Sequence, residues 1–143
     1  MRRGLGRGRT LIAIGSILAI IGMWLPWRSS GGAVLEVATE NGFETAGVAT
    51  FLASVGMLAL IVAPYATRNR QLALDRAAVY AVLAVVGIGG VAAVAVSLIA
   101  PSQEGVSYHL MPFDAPGLWL AIAGMALASW GVLELFAEKP AAP

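Results

Sequence analysis

The sequence predicts an all-α membrane fold: a bundle of four transmembrane helices, both termini cytoplasmic, with a short β-hairpin in the first outer loop. Three observations carry this expectation. Four long apolar runs divide the chain. Hydrophobic residues make up 59% of its 143 positions and charged residues only 12%, with a mean hydropathy of +0.81; a soluble domain is nearer half apolar and one quarter charged. Eight of the nine lysines and arginines fall on one side of the runs. The composition excludes a disordered chain and argues against a soluble enzyme. The length fits a single integral membrane domain spanning 1–143.

The expected spans are 10–27 (TLIAIGSILAIIGMWLPW), 46–66, 77–100 and 116–137. About 20 apolar residues cross the hydrocarbon as helix. None of the runs alternates in polarity as spanning strands would. Thr10, Asp75 and Asp114 stand where N-cap side chains satisfy free amides. Pro116 suits the first position of the last helix. Pro26 and Pro101 close the first and third spans, and Pro64 is expected to bend or finish the second. The first span also has the basic start and apolar centre of a signal peptide. WLPWR separates it from the small residues of RSSGGA, and it is expected to be retained.

Charge placement sets the expected orientation. Arg2, Arg3, Arg7 and Arg9 precede the first span, Arg68, Arg70 and Arg76 lie between the second and third, and Lys139 follows the fourth. Only Arg28 lies opposite, beside Glu36, Glu40, Glu44, Glu104 and Asp114. Basic loops stay in the cytoplasm, so a bacterial inner-membrane protein with both termini inside is expected. Tryptophans and tyrosines near the span ends agree, Trp24, Trp27 and Trp119 on the outside, Tyr65, Tyr80 and Trp130 on the inside.

Helix packing is expected through small residues, which let backbones approach where lipid removes the usual apolar drive. Gly117, Ala121, Gly124, Ala128 and Gly131 repeat at intervals of four and three on the fourth helix. Gly15, Ala19 and Gly22 do so on the first, and Ala49, Ala53 and Gly56 on the second. These faces serve either the bundle core or a partner subunit. Gly87, Gly89 and Gly90 permit a kink or a close contact in the third helix. In the first outer loop, VLEVATE alternates and Asn41-Gly42 reads as a two-residue turn. The second outer loop, with Tyr108, Leu110, Met111 and Phe113, is expected to cap the bundle.

Polar groups inside a membrane mark function by default, and here they are few. Ser16, Thr50, Ser54, Ser97 and Ser129 can bond back to their own helices. Glu134 is the one carboxylate within an apolar run, one turn from the end of the last span. It is expected to reach the interface or pair with Arg68, Arg70 or Arg76, the alternative being a proton- or cation-binding site. The chain has no cysteine and one histidine, His109. No phosphate loop, HExxH or GxSxG motif occurs. No catalytic residue, cofactor or metal ligand is assigned. The basic N-terminal RRGLGRGR can touch anionic head groups, and nothing further points to nucleic acid.

The chain resembles a loose group of uncharacterised small bacterial four-span membrane proteins. The features that carry the resemblance are the Pro26-Trp27 pair after the first helix, the NGFETAG lead into the second and the Ala115-Pro116-Gly117 opening of the last. The topology is also similar to claudin-like tetraspans, without their cysteine pair. The resemblance implies a fold and a location. The function expected is a non-enzymatic accessory or scaffold subunit, with the lipid bilayer and a membrane-protein partner or second copy as its contacts. The alternative is a transporter or channel for a small solute or lipid.

Overall fold

The computed structural model describes residues 6–32, 35–66, 76–99 and 112–138. Its elements are helix α1 (Arg7–Met23), strands β1 (Pro26–Gly32) and β2 (Leu35–Asn41), a 3-10 turn (Gly42–Glu44), and helices α2 (Gly47–Ala66), α3 (Arg76–Ile99) and α4 (Pro116–Ala137). Each helix packs on the next, and α4 closes the ring by lying along α1 in the most extensive contact of the molecule. Helices α2, α3 and α4 are long and apolar enough to cross a membrane, with mean hydropathies of 2.0, 2.6 and 1.8. Only 28–33% of these windows is buried inside the molecule. Leu52, Val85 and Leu133 face outwards with 62%, 70% and 65% of their surface exposed. Apolar surface on that scale needs a lipid or protein cover.

Helix α1, at 17 residues, begins earlier and ends earlier than its sequence pattern predicts. Thr10 does not cap it. Gly6 holds the cap position with no side-chain bond, and the Thr10 hydroxyl donates to the Gly6 carbonyl at 3.3 Å. At the other end the amides of Trp24 and Leu25 bond back three residues, each at 3.2 Å, to Ile21 and Gly22. Pro26 then forces Leu25 out of helical geometry and opens β1. WLPW is therefore the exit from α1 and not its last turn. Asp114 likewise leaves the cap of α4 to Ala115, with Pro116 in the first turn as expected. Pro64 sits in the last turn of α2, which ends two residues later. Asp75, Pro101, His109 and the rest of the second outer loop lie outside the described residues.

The hairpin is present, but its reversal is not at Asn41-Gly42. Strands β1 and β2 pair antiparallel, Arg28 opposite Glu40 and Gly32 opposite Leu35, so the chain reverses between Gly32 and Leu35. The Arg28 guanidinium bonds the Glu40 carboxylate across the pair. Asn41 instead caps the 3-10 turn: its Oδ1 accepts the Phe43 amide at 2.9 Å, while the Glu44 carboxylate accepts the Asn41 amide at 3.1 Å. The acid three residues on makes this a capping box. That pairing outcompetes the hairpin-turn use of the same dipeptide.

Trp27 fixes the hairpin on the helices. It is fully buried, and its Nε1 donates to the Gly22 carbonyl at 2.9 Å. Its ring lies against Gly42, Gly47 and Gly117, where an added Cβ would come within 2.8 Å of ring atoms. Trp24, Phe43 and Phe51 continue the contact as edge-to-face rings 5.3 and 5.1 Å apart. A lone hairpin is marginal in water, and this anchor stabilises it. Replacing Trp27 by Ala is expected to destabilise the fold by about 3–5 kcal/mol, read as a lower unfolding midpoint in mild detergent; an unchanged midpoint would show that the anchor is dispensable.

Candidate functional site

The small-residue faces of α1 and α4 meet each other. Gly8, Gly15 and Gly22 repeat every seven residues on α1, as Gly117, Gly124 and Gly131 do on α4. They oppose one another in antiparallel order: Gly8 with Gly131, Gly15 with Gly124, Gly22 with Gly117. A Cβ on Gly124 would lie 2.6 Å from both the Ala19 nitrogen and the Gly15 carbonyl oxygen. On Gly131 it would lie 2.5 Å from the Gly8 oxygen, and on Gly22 2.8 Å from the Gly117 oxygen. The two backbones therefore touch at three levels over about 21 Å of helix. Ala19, Ala121 and Ala128 fill the intervening steps and are completely buried, as is Ile12. Gly8 is the member that the sequence pattern did not reveal, because Arg7 and Arg9 flank it and read as a solvated tail. Its signal was the seven-residue spacing to Gly15.

Helices α2 and α3 make a looser contact. Ala53 is buried, while Ala49 and Gly56 are half-buried, with Gly56 facing Leu83. The glycine cluster of α3 divides. Gly87 packs on Met125 and Ala53, and Gly90 on Thr50, but a Cβ on Gly89 would meet nothing within 4 Å. The helix continues through all three. Close packing explains two of these glycines, and no helix break accompanies them.

Three buried hydroxyls cross between helices. Thr50 donates to the Gly87 carbonyl at 2.8 Å. Ser16 and Ser54 donate to the sulfurs of Met57 and Met125 at 3.7 and 3.8 Å. Only Ser97 and Ser129 bond back within their own helices, both at 2.7 Å. No buried side-chain nitrogen or oxygen among the described residues lacks a partner.

Glu134 lies at the end of the bundle where α1 begins and α4 ends. Its Oε1 is 3.3 Å from the Arg7 Nε and accepts the Trp130 indole N–H at 3.1 Å. Among the described residues its basic partner is Arg7, on the adjacent helix; Arg68, Arg70 and the Arg76 side chain lie outside the described residues. Arg7 is 81% exposed, so the pair contributes at most about 1 kcal/mol. It serves chiefly to orient the start of α1 against α4.

Two features remain on the outside. An apolar groove of about 240 Å³ runs between α3 and α4, lined by Ile88, Val91, Ile122, Met125, Ala126 and Ser129. The outward face of α3 carries Val82, Val85, Gly89, Ala92 and Val96, all exposed and again spaced by three and four. Among the described residues no group of three acidic, histidine or cysteine side chains converges as a metal site would require. Compared with known proteins, the chain matches no family model, no curated protein and no solved structure.

Enlarging the seam should break it. Gly15→Leu or Gly124→Leu is expected to lower stability by more than the 1–3 kcal/mol usual for an overpacked core, since backbone is what must move. Gly89→Leu should leave the unfolding midpoint within about 0.5 kcal/mol of the original. Equal effects at the three positions, measured by thermal unfolding in one detergent, would refute the seam.

Proposed function

We propose that this chain is a four-span protein of the bacterial inner membrane, with both termini in the cytoplasm. Three helices have the length and hydropathy to cross. Helix α1 supports a fourth crossing by lying antiparallel along α4 from Gly8 to Gly22, and its 17 residues stand at the short end of the spanning range. The orientation rests on the charge asymmetry of the two ends. The chain has no native cysteine, which makes the test direct. In intact cells a membrane-impermeant maleimide should label Thr39→Cys, on the hairpin, and reach Glu138→Cys only after permeabilisation. The opposite pattern reverses the topology, and labelling of both sites in intact cells removes it.

Within that membrane the reading favoured is a non-enzymatic accessory or scaffold subunit, held to a membrane-protein partner or a second copy. One observation carries it. The small-residue faces of α1 and α4 are spent on each other, whereas the series on α3 around Gly89 is exposed, and a Cβ on Gly89 would meet nothing within 4 Å among the described residues. Helices associate in lipid through such faces. The buried hydroxyls are all committed to internal bonds, and the described structure outside the helices is little more than one hairpin. The α3–α4 groove favours a second reading, the handling of a lipid or other apolar solute. Its lining offers no charged group, so an acyl chain fits it better than an ion.

Native mass spectrometry of the protein extracted gently from its own membrane separates these readings. A stable homo- or heteromeric mass is expected, lost in Gly89→Leu although that variant still folds. A lone monomer in native lipid overturns the subunit reading, and a monomer that retains a lipid in the groove favours the second.

A further inference from the structure

The end of the bundle where α1 begins carries an arginine, Arg9, with no acidic partner among the described residues, beside an apolar cleft. In the sequence, eight basic residues and three acids, Asp75, Glu134 and Glu138, lie before α1 or in its first turn, between α2 and α3 or at the start of α3, or near the end of α4 and beyond it, an excess of five positive charges; the two other connections hold one arginine against five acids. Two ion pairs occur among the described residues, Arg7 with Glu134 and Arg28 with Glu40. Arg9, two residues on and so on nearly the opposite face of α1, has none among them. It lines a cleft with Leu60, Ile61 and Pro64 of α2 and Tyr80 of α3. The cleft is shallow, about 10 Å³, so a ligand lies against it and is not enclosed.

These parts differ in chemistry in a way that selects the ligand. A guanidinium offers a planar fork of donors that matches phosphate. Leucine, isoleucine and proline walls give a soluble anion nothing, but they suit methylene groups. A cation followed by an apolar wall, at the end of helices that can span a membrane, has the layout of a phospholipid: phosphate first, acyl chain next. The surplus positive charge at the same end selects against a zwitterionic headgroup. We propose that Arg9 and the cleft between α1, α2 and α3 hold an anionic phospholipid, the phosphate on Arg9 and the first acyl methylenes against Leu60, Ile61 and Pro64. This rests on the membrane-spanning reading above. Arg7 does not substitute for Arg9, because its guanidinium is engaged by Glu134.

The test uses the full chain in mild detergent with an equimolar mixture of phosphatidylglycerol and phosphatidylcholine carrying the same acyl chains. Native mass spectrometry counts the lipid retained. The unaltered protein should hold phosphatidylglycerol in several-fold excess. Arg9→Gln should cut that excess about fivefold, the effect of one basic residue close to an anionic surface. Arg9→Lys should fall between, keeping the charge but losing the fork, and Arg7→Gln should lose less than Arg9→Gln. Arg9 is exposed, so the unfolding midpoint of each variant is expected to hold, which separates lipid loss from misfolding. Equal losses in Arg7→Gln and Arg9→Gln would reveal a diffuse field and overturn the site, as would equal retention of the two lipids by the unaltered protein. Failure of the protein to remain in carbonate-washed membranes would instead overturn the spanning reading.

Discussion

The structure depends on the direct contact of two helix backbones. Where α1 meets α4 there is no room for side chains at three successive levels, and the interacting atoms are carbonyl oxygens, amide nitrogens and α-carbons. Backbones in direct contact gain from dispersion at short range, which falls off within an ångström of separation. Glycine at every seventh position keeps that range open. It also fixes register, because a Cβ at any of these positions would strike the facing backbone. The sequence numbers of the facing glycines sum to 139 at each level, as expected of two antiparallel helices held in one unbroken register.

Both ends of the bundle follow from that register. At one end Gly22 and Gly117 come together, and the gap beside them receives Trp27, whose indole N–H finds the Gly22 carbonyl. The same carbonyl also accepts the Leu25 amide at 3.2 Å, so one oxygen at the end of α1 holds both the last turn of the helix and the indole. The hairpin is thereby seated on the helix whose termination created it. At the other end the seam brings Gly8 to Gly131, and so places Arg7 within reach of Glu134, one turn further along α4. The acid expected to reach the interface or pair with an arginine pairs with Arg7, at the first turn of α1.

The spans were legible because apolar length is a one-dimensional property: α2, α3 and α4 match their sequence expectations to within a residue or so. The series on α4 was legible too, since its spacing is uninterrupted. What could not be read was which face meets which. Three helices carry small-residue series and α3 carries a glycine cluster, and only the fold shows that the series of α1 and α4 oppose each other and that Gly89 is left outside. The local errors share a cause. Thr10, Asp114 and Asn41-Gly42 each support two uses, and the choice depended on neighbours: Gly6 and Pro116 at the helix starts, Glu44 at the turn. The interhelical hydroxyl bonds were hidden for the same reason, because their acceptors, Met57, Gly87 and Met125, are 37 to 71 residues away.

A bundle so fully committed to its own interior places its remaining chemistry on its surface. The hydroxyls are bonded, the seam glycines are covered and Glu134 is clasped, so a substitution inside changes stability before it changes anything else. Outside, the constraint is reversed. Gly89 has open space where a side chain would stand. Arg9 is likewise unnecessary to the seam, whose nearest glycine is Gly8. The two positions lie on different helices and at different depths, one in the middle of α3 and one at the start of α1. They are far apart on the surface, and each can be altered without disturbing the other.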